Sequence, residues 1–259
     1  MATFDVNQPQ QAVLSAIKIK KIRFNAPLRW LMAGFNDFKV SPINSLSYGL
    51  IFAVLGLLIV LLLKNYPTFI ITAVSGFLLI GPFIAIGLYD MSQQIENSKS
   101  PTVLHALKRL QFNTMSIISF AFIVAFIFAF WSRFTGVLTA VLFDNFDLAA
   151  NGWANIFTND STPMIMLTFM LTGLGLAAFV FSISVVAVPM MTHKKVDVIT
   201  AIVTSLRAVK ANFIPMLLWA SIIVAMIAIG IVTFYIGLII TLPIIGHASW
   251  HAYRELVED

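Results

Sequence analysis

Along the chain, long apolar runs alternate with short polar segments, and the spacing matches the thickness of a bilayer. Residues 46–63 (LSYGLIFAVLGLLIVLLL), 68–89, 115–132 (MSIISFAFIVAFIFAFWS) and 164–191 contain no Asp, Glu, Lys or Arg. A hydrocarbon core of ~30 Å takes about 20 apolar residues per helix. A last run, 213–246, is also free of charge. As one helix it would be ~51 Å long at ~1.5 Å per residue, so the pattern predicts a break near Gly230 and two short spans. The expected fold is all-α and polytopic, with six transmembrane helices paired as three hairpins.

Between the runs lie segments of helical period. Val103, Leu104, Leu107 and Leu110 form one apolar stripe, and Val198, Ile199, Ile202, Val203, Leu206 and Val209 form another. Such stripes suit amphipathic helices in the headgroup layer that lead into outgoing spans. Residues 27–41 match more loosely. HALKRLQFN (105–113) aligns with TSLRAVKAN (204–212), and Pro82, Pro189 and Pro243 each sit near the inner end of a returning span. Four residues after these prolines come Ile86, His193 and His247, and eight after come Asp90, Asp197 and His251. The chain therefore reads as three repeated units, each an interfacial helix plus a hairpin.

Composition agrees with a lipid surround: 59% of the 259 residues are hydrophobic and 10% are charged, against roughly 25% charged in a soluble domain. Cysteine is absent, which removes disulfides, thiolate metal sites and cysteine nucleophiles. Basic residues fall in the N-terminal arm (Lys18, Lys20, Lys21, Arg23, Arg29), in the 90–113 loop (Lys99, Lys108, Arg109) and in the 192–212 loop (Lys194, Lys195, Arg207, Lys210). The 133–163 segment has Arg133 and then only acids, Asp144, Asp147 and Asp160. By the positive-inside rule both termini are expected in the cytoplasm. The expected organisation is a basic arm over 1–26, one transmembrane domain over 27–256 and a tail over 257–259. No secretory signal is read in the first 45 residues.

Candidate chemistry concentrates in LPIIGHASWHAYREL (242–256). His247 and His251, four apart, share a helix face, and Arg254 follows on the same stripe. With Trp250, Tyr253 and Asp90 they form the candidate binding set, a polar cluster at the inner mouth that Asp197 and His193 could join. A metal held by His247 and His251 is the weaker version. The ordinary alternative places Trp250 and Tyr253 in an aromatic belt, with the histidines solvated at the headgroups. Met164, Met166, Met170, Met190 and Met191 are thioether candidates for copper, though methionine also fills irregular packing gaps. No phosphate-cradling glycine loop, zinc-protease helix or G-x-S-x-G elbow is present. No ionised residue lies inside a predicted span, where coupled transporters usually bury one.

The stretches WLMAGFNDFKVSPINSLSYG (30–49), SISVVAVPMM (182–191), VDVITAIVTSLRAVKANFIPMLLWA (196–220) and GLIITLPIIGHASWHAYREL (237–256) resemble the bacterial integral-membrane domain-of-unknown-function family 2189. The resemblance implies a multi-pass inner-membrane protein without an established activity. Some members carry the label cytochrome c oxidase subunit I. His105, His193, His247 and His251 are too few to supply that subunit's ligands. His193 departs from the family's pattern, which leaves His247 and His251 as the better candidates. The expected role is non-enzymatic: a scaffold or accessory factor for other membrane proteins or lipids. Transport or metal handling through the inner cluster is the alternative. No cofactor and no nucleic-acid partner is expected, and the oligomeric state stays open.

Overall fold

A computed structural model of the chain describes residues 17–65, 67–102, 105, 111–142 and 162–258. Among these residues the fold is helical throughout, apart from one isolated bridge between Ile19 and Val257. The 103–110 stripe and Asp144, Asp147 and Asp160 lie outside the described residues.

Helix α1 (Ala26–Val40) begins with Pro27 in its first turn, where a missing amide costs nothing, and stops at Ser41. Pro42 then opens α2 (Pro42–Leu63). A proline cannot extend the preceding hydrogen-bond ladder but fits the first turn of a new one, so the chain turns a corner here. The first returning span is α3 (Pro67–Ile84) followed by α4 (Ile86–Glu96). The two part at Ala85, three residues after Pro82, which contributes no amide to the ladder. Helix α5 (Thr114–Leu142) runs past the expected end at residue 132. Arg133 is exposed on its surface, and the apolar residues after it continue the helix instead of opening a loop.

The second return is α6 (Thr162–Ser184) and α7 (Ala187–His193), interrupted just before Pro189. Helix α8 (Val198–Ala211) packs through its small residues Thr200, Ala201, Thr204, Ser205 and Ala208, and leaves Ile199 and Leu206 of the apolar stripe exposed. Next come α9 (Phe213–Val232) and α10 (Leu238–Leu256), with Pro243 inside an unbroken α10. The predicted break at Gly230 falls slightly later, at residues 233–237. Phe234 and Tyr235 reverse the chain there with φ of 53° and 67°. Gly230 serves close approach instead, since a Cβ on it would overlap the Leu238 side chain.

Five helical stretches are long and apolar enough to cross a membrane: Pro42–Leu63, Ala73–Glu96, Thr114–Leu138, Leu167–His193 and Phe213–Val232. Most of the surface of each faces away from the rest of the chain. The core lies at one end, where Trp30, Phe120, Met190, Trp219, Trp250 and Tyr253 are buried together. The helices are thus knotted at this inner layer and spread apart beyond it.

Three asparagines stitch the layer. Asn44 donates to the Pro101 carbonyl (3.0 Å), Asn113 to that of Val196 (2.8 Å) and Asn212 to that of Lys20 (2.9 Å). Each stands in the first turn or at the N-terminal edge of a long helix, α2, α5 or α9, and holds a chain segment distant in sequence. The two ends of the described chain also meet. The Lys20 amide donates to the Leu256 carbonyl at 3.0 Å, and that of Glu258 donates to Lys18 at 3.1 Å.

Candidate functional site

Residues 243–250 of α10 form the longest unbroken buried run among the described residues, and α1, α2, α4 and α9 all pack against this helix. His247 has 0% exposure, and a polar ring so placed must find partners in the protein. Its Nε2 lies 2.9 Å from Oγ of Ser45 on α2, and its Nδ1 lies 2.8 Å from Oγ of Ser92 on α4. Ser92 in turn donates to Oδ2 of Asp37 on α1 at 2.6 Å. A hydroxyl has one hydrogen. Ser92 spends it on Asp37, so Ser92 accepts from the Nδ1–H of His247. For a neutral imidazole, Nε2 then accepts the hydroxyl hydrogen of Ser45.

The same Oδ2 of Asp37 accepts from Nε2 of His251 at 2.8 Å. The result is a directed chain, Ser45 to His247 to Ser92 to Asp37, with His251 donating from the other side. It joins four helices, of which α1 and α2 are consecutive and α10 lies more than 140 positions beyond α4. Ser45 and His247 have the spacing of a nucleophile and its base, but Ser45 is also 0% exposed, and its hydroxyl is held by the ring. What the arrangement does chemically is hold the tautomer of His247 and satisfy the buried Asp37 carboxylate with converging donors.

Two carboxylates flank this chain, and each clamps a tryptophan and an arginine. Glu255 accepts from Nε1 of Trp30 at 2.7 Å and pairs with Arg29. Glu96 accepts from Nε1 of Trp250 at 3.1 Å and pairs with Arg254, also at 3.1 Å. Neither Trp250 nor Tyr253 faces a headgroup layer in the manner of a belt residue, since both are buried. The Tyr253 hydroxyl meets Nδ1 of His193 at 2.9 Å, and the His193 ring stands edge-on to Trp250 at 5.3 Å.

The structure therefore divides the residues that the sequence grouped. His247 and His251 share one network, while Trp250, Tyr253 and Arg254 border it. Asp90 belongs elsewhere: its Oδ2 bonds to Nδ1 of His105 at 2.8 Å and to the Gln94 amide at 2.7 Å. Asp197 caps α8, accepting from the Thr200 amide at 2.9 Å. Equal spacing from a proline does not put these side chains in equal surroundings: the helix parts near Pro82 and Pro189 but runs unbroken through Pro243. Asp37, Ser45, Ser92, Glu96 and Glu255 were missed. Asp37 carried one usable signal, an acid inside an otherwise apolar amphipathic segment. Among the described residues, no group of three or more His, Asp or Glu side chains is arranged to hold a metal ion.

An all-helical chain with several lipid-length apolar helices and a polar core at one end defines a multi-pass integral membrane protein. Residues 70–193 match the family model described as "Predicted integral membrane protein (DUF2189)", which confirms the resemblance over that segment. Comparison with curated proteins and with solved structures found no match.

Proposed function

We propose that this protein is a non-enzymatic scaffold or accessory factor of the bacterial inner membrane, acting on other membrane proteins or lipids. Its six hydrophobic helices form three hairpins entering from the cytoplasmic side, with α1 and α8 in the headgroup layer and both chain ends in the cytoplasm. The pairing of residues 18–20 with 256–258 supports a common side for the ends. The three asparagine stitches support a threefold internal repeat.

The observation that carries the scaffold reading is the outer face of α5. Phe122, Phe126 and Phe130, one turn apart, are 73%, 76% and 65% exposed. In lipid, helices associate through packing and not through the hydrophobic effect. A ridge of rigid rings outside the chain's own core suits a neighbouring helix. The rival reading, transport or metal handling through His247 and His251, has less support, because serine hydroxyls already engage both ring nitrogens of His247.

Photocrosslinking tests the proposal. A benzophenone amino acid at Phe126, activated in native membranes, should give a reproducible protein adduct. Replacing Phe122 and Phe130 with alanine should reduce that adduct several-fold. Adducts to lipid alone would refute a protein-directed scaffold.

A further inference from the structure

We propose that α9 and α10 form a re-entrant hairpin whose tip, residues 233–237, ends inside the hydrocarbon layer and rests on lipid acyl chains. Full crossings are then made by α2, α3 with α4, α5, and α6 with α7. Length and composition alone would let α9 cross as well; its depth in the fold argues otherwise.

Neighbouring helices give that depth. Ser45 of α2, bonded to His247, marks the inner polar layer. From there α2 and α10 run outward side by side, with Gly49 against Ile239 and Gly56 against the Tyr235 ring. The eleven residues from Ser45 to Gly56 rise ~16 Å, roughly half of a ~30 Å core. Beyond Gly56, α2 continues to Leu63 before its polar turn at Lys64 and Asn65, a further ~10 Å. The return helix agrees. Phe77 of α3 meets Phe52 at 5.5 Å, ten residues inside the helix start at Pro67. At its other end α9 is set deep, with Trp219 edge-on to Trp30 in the inner aromatic layer. Six residues of α9 precede Trp219, which leaves thirteen, ~20 Å, between that layer and the turn.

The tip has the chemistry its position requires. The stretch VTFYIG contains no charge, and Phe234 and Ile236 are 82% and 68% exposed. Its polar groups close on one another. Thr233 Oγ1 donates to the Ile229 carbonyl and accepts from the Gly237 amide, both at 2.9 Å. The amides of Ile236 and Leu238 reach the carbonyls of Thr233 and Tyr235. A bend in hydrocarbon has to satisfy its own backbone in this way. A turn in water has no such need, and the Lys64–Asn65 turn is polar. Four crossings plus a re-entrant hairpin also keep the paired chain ends on one side.

The native chain has no cysteine, so single cysteines can carry a nitroxide without background. Asn65→Cys and Phe234→Cys, each spin-labelled and placed in phosphatidylglycerol/phosphatidylethanolamine vesicles, would be compared by power saturation with oxygen and a nickel chelate. The label at Phe234 should be oxygen-accessible, shielded from nickel and at least ~10 Å deeper than the one at Asn65. Equal depth at the two positions would overturn the proposal. Ile236→Cys repeats the measurement on a second exposed position, and nickel access there would overturn it as well.

Discussion

Asp37 and His251 stand 214 positions apart in the chain and 2.8 Å apart in the fold, with the imidazole Nε2 donating to the carboxylate. The bond fastens the first described helix to the last. Because Ser92 donates to the same oxygen, one carboxylate organises three helices. Replacing Asp37 with asparagine keeps the shape and removes the charge. Charge-assisted hydrogen bonds are the stronger kind, so a loss of about 1–3 kcal/mol is expected. Thermal unfolding of the detergent-purified variant should show a lowered midpoint, and an unchanged midpoint would remove Asp37 from its central role.

His247→Phe fills a similar volume but strands the hydroxyl of Ser45, while Ser92 keeps its bond to Asp37. An unsatisfied buried group costs about 1–3 kcal/mol. Adding Ser45→Ala should therefore restore part of the stability lost in the single variant, whereas adding Ser92→Ala should deepen the loss by taking a donor from Asp37. Additive losses for His247→Phe and Ser45→Ala would argue against a connected network.

Glycine positions separate close packing from open surface. A Cβ at Gly49 would overlap the Ile239 backbone, whereas one at Gly175 meets nothing within 4 Å. Gly49→Ala should cost about 1–3 kcal/mol, since backbone cannot swing aside. Gly175→Ala should be neutral or mildly stabilising through helix propensity. The pair can be compared by detergent melting, and equal behaviour would contradict the α2–α10 contact.

Asn212 accepts from the Ile22 amide and donates to the Lys20 carbonyl, both at 2.9 Å. Asn212→Ala should release the segment around Lys20, Lys21 and Arg23. Trypsin should then cut there several-fold faster, with the helical content measured by circular dichroism unchanged. Identical cleavage rates would show that the terminal pairing holds the segment without Asn212.

The apolar runs were legible because hydrocarbon thickness imposes a length on any charge-free stretch, and the α8 stripe because helical period survives in sequence. The α9–α10 turn was harder. Reversal there uses left-handed Phe234 and Tyr235, residues that normally signal continued structure, so the eye goes to Gly230. The i,i+4 spacing of His247 and His251 put them on one face, as local geometry dictates. Their partners could not be found that way, since Asp37, Ser45 and Ser92 come from three distant helices whose rotation is set only by packing. Asp90 shows the limit from the other side: it follows a proline by eight residues, as His251 does, yet it bonds to His105.

The pairing of residues 18–20 with 256–258 has a consequence for biogenesis. Helix α1 finds its principal neighbour in α10, so a nascent chain on the ribosome holds α1 without that mate until residues 238–256 have been made. Premature termination would leave Trp30 and Asp37 uncovered at the membrane surface, where quality-control proteases can recognise an unfinished product.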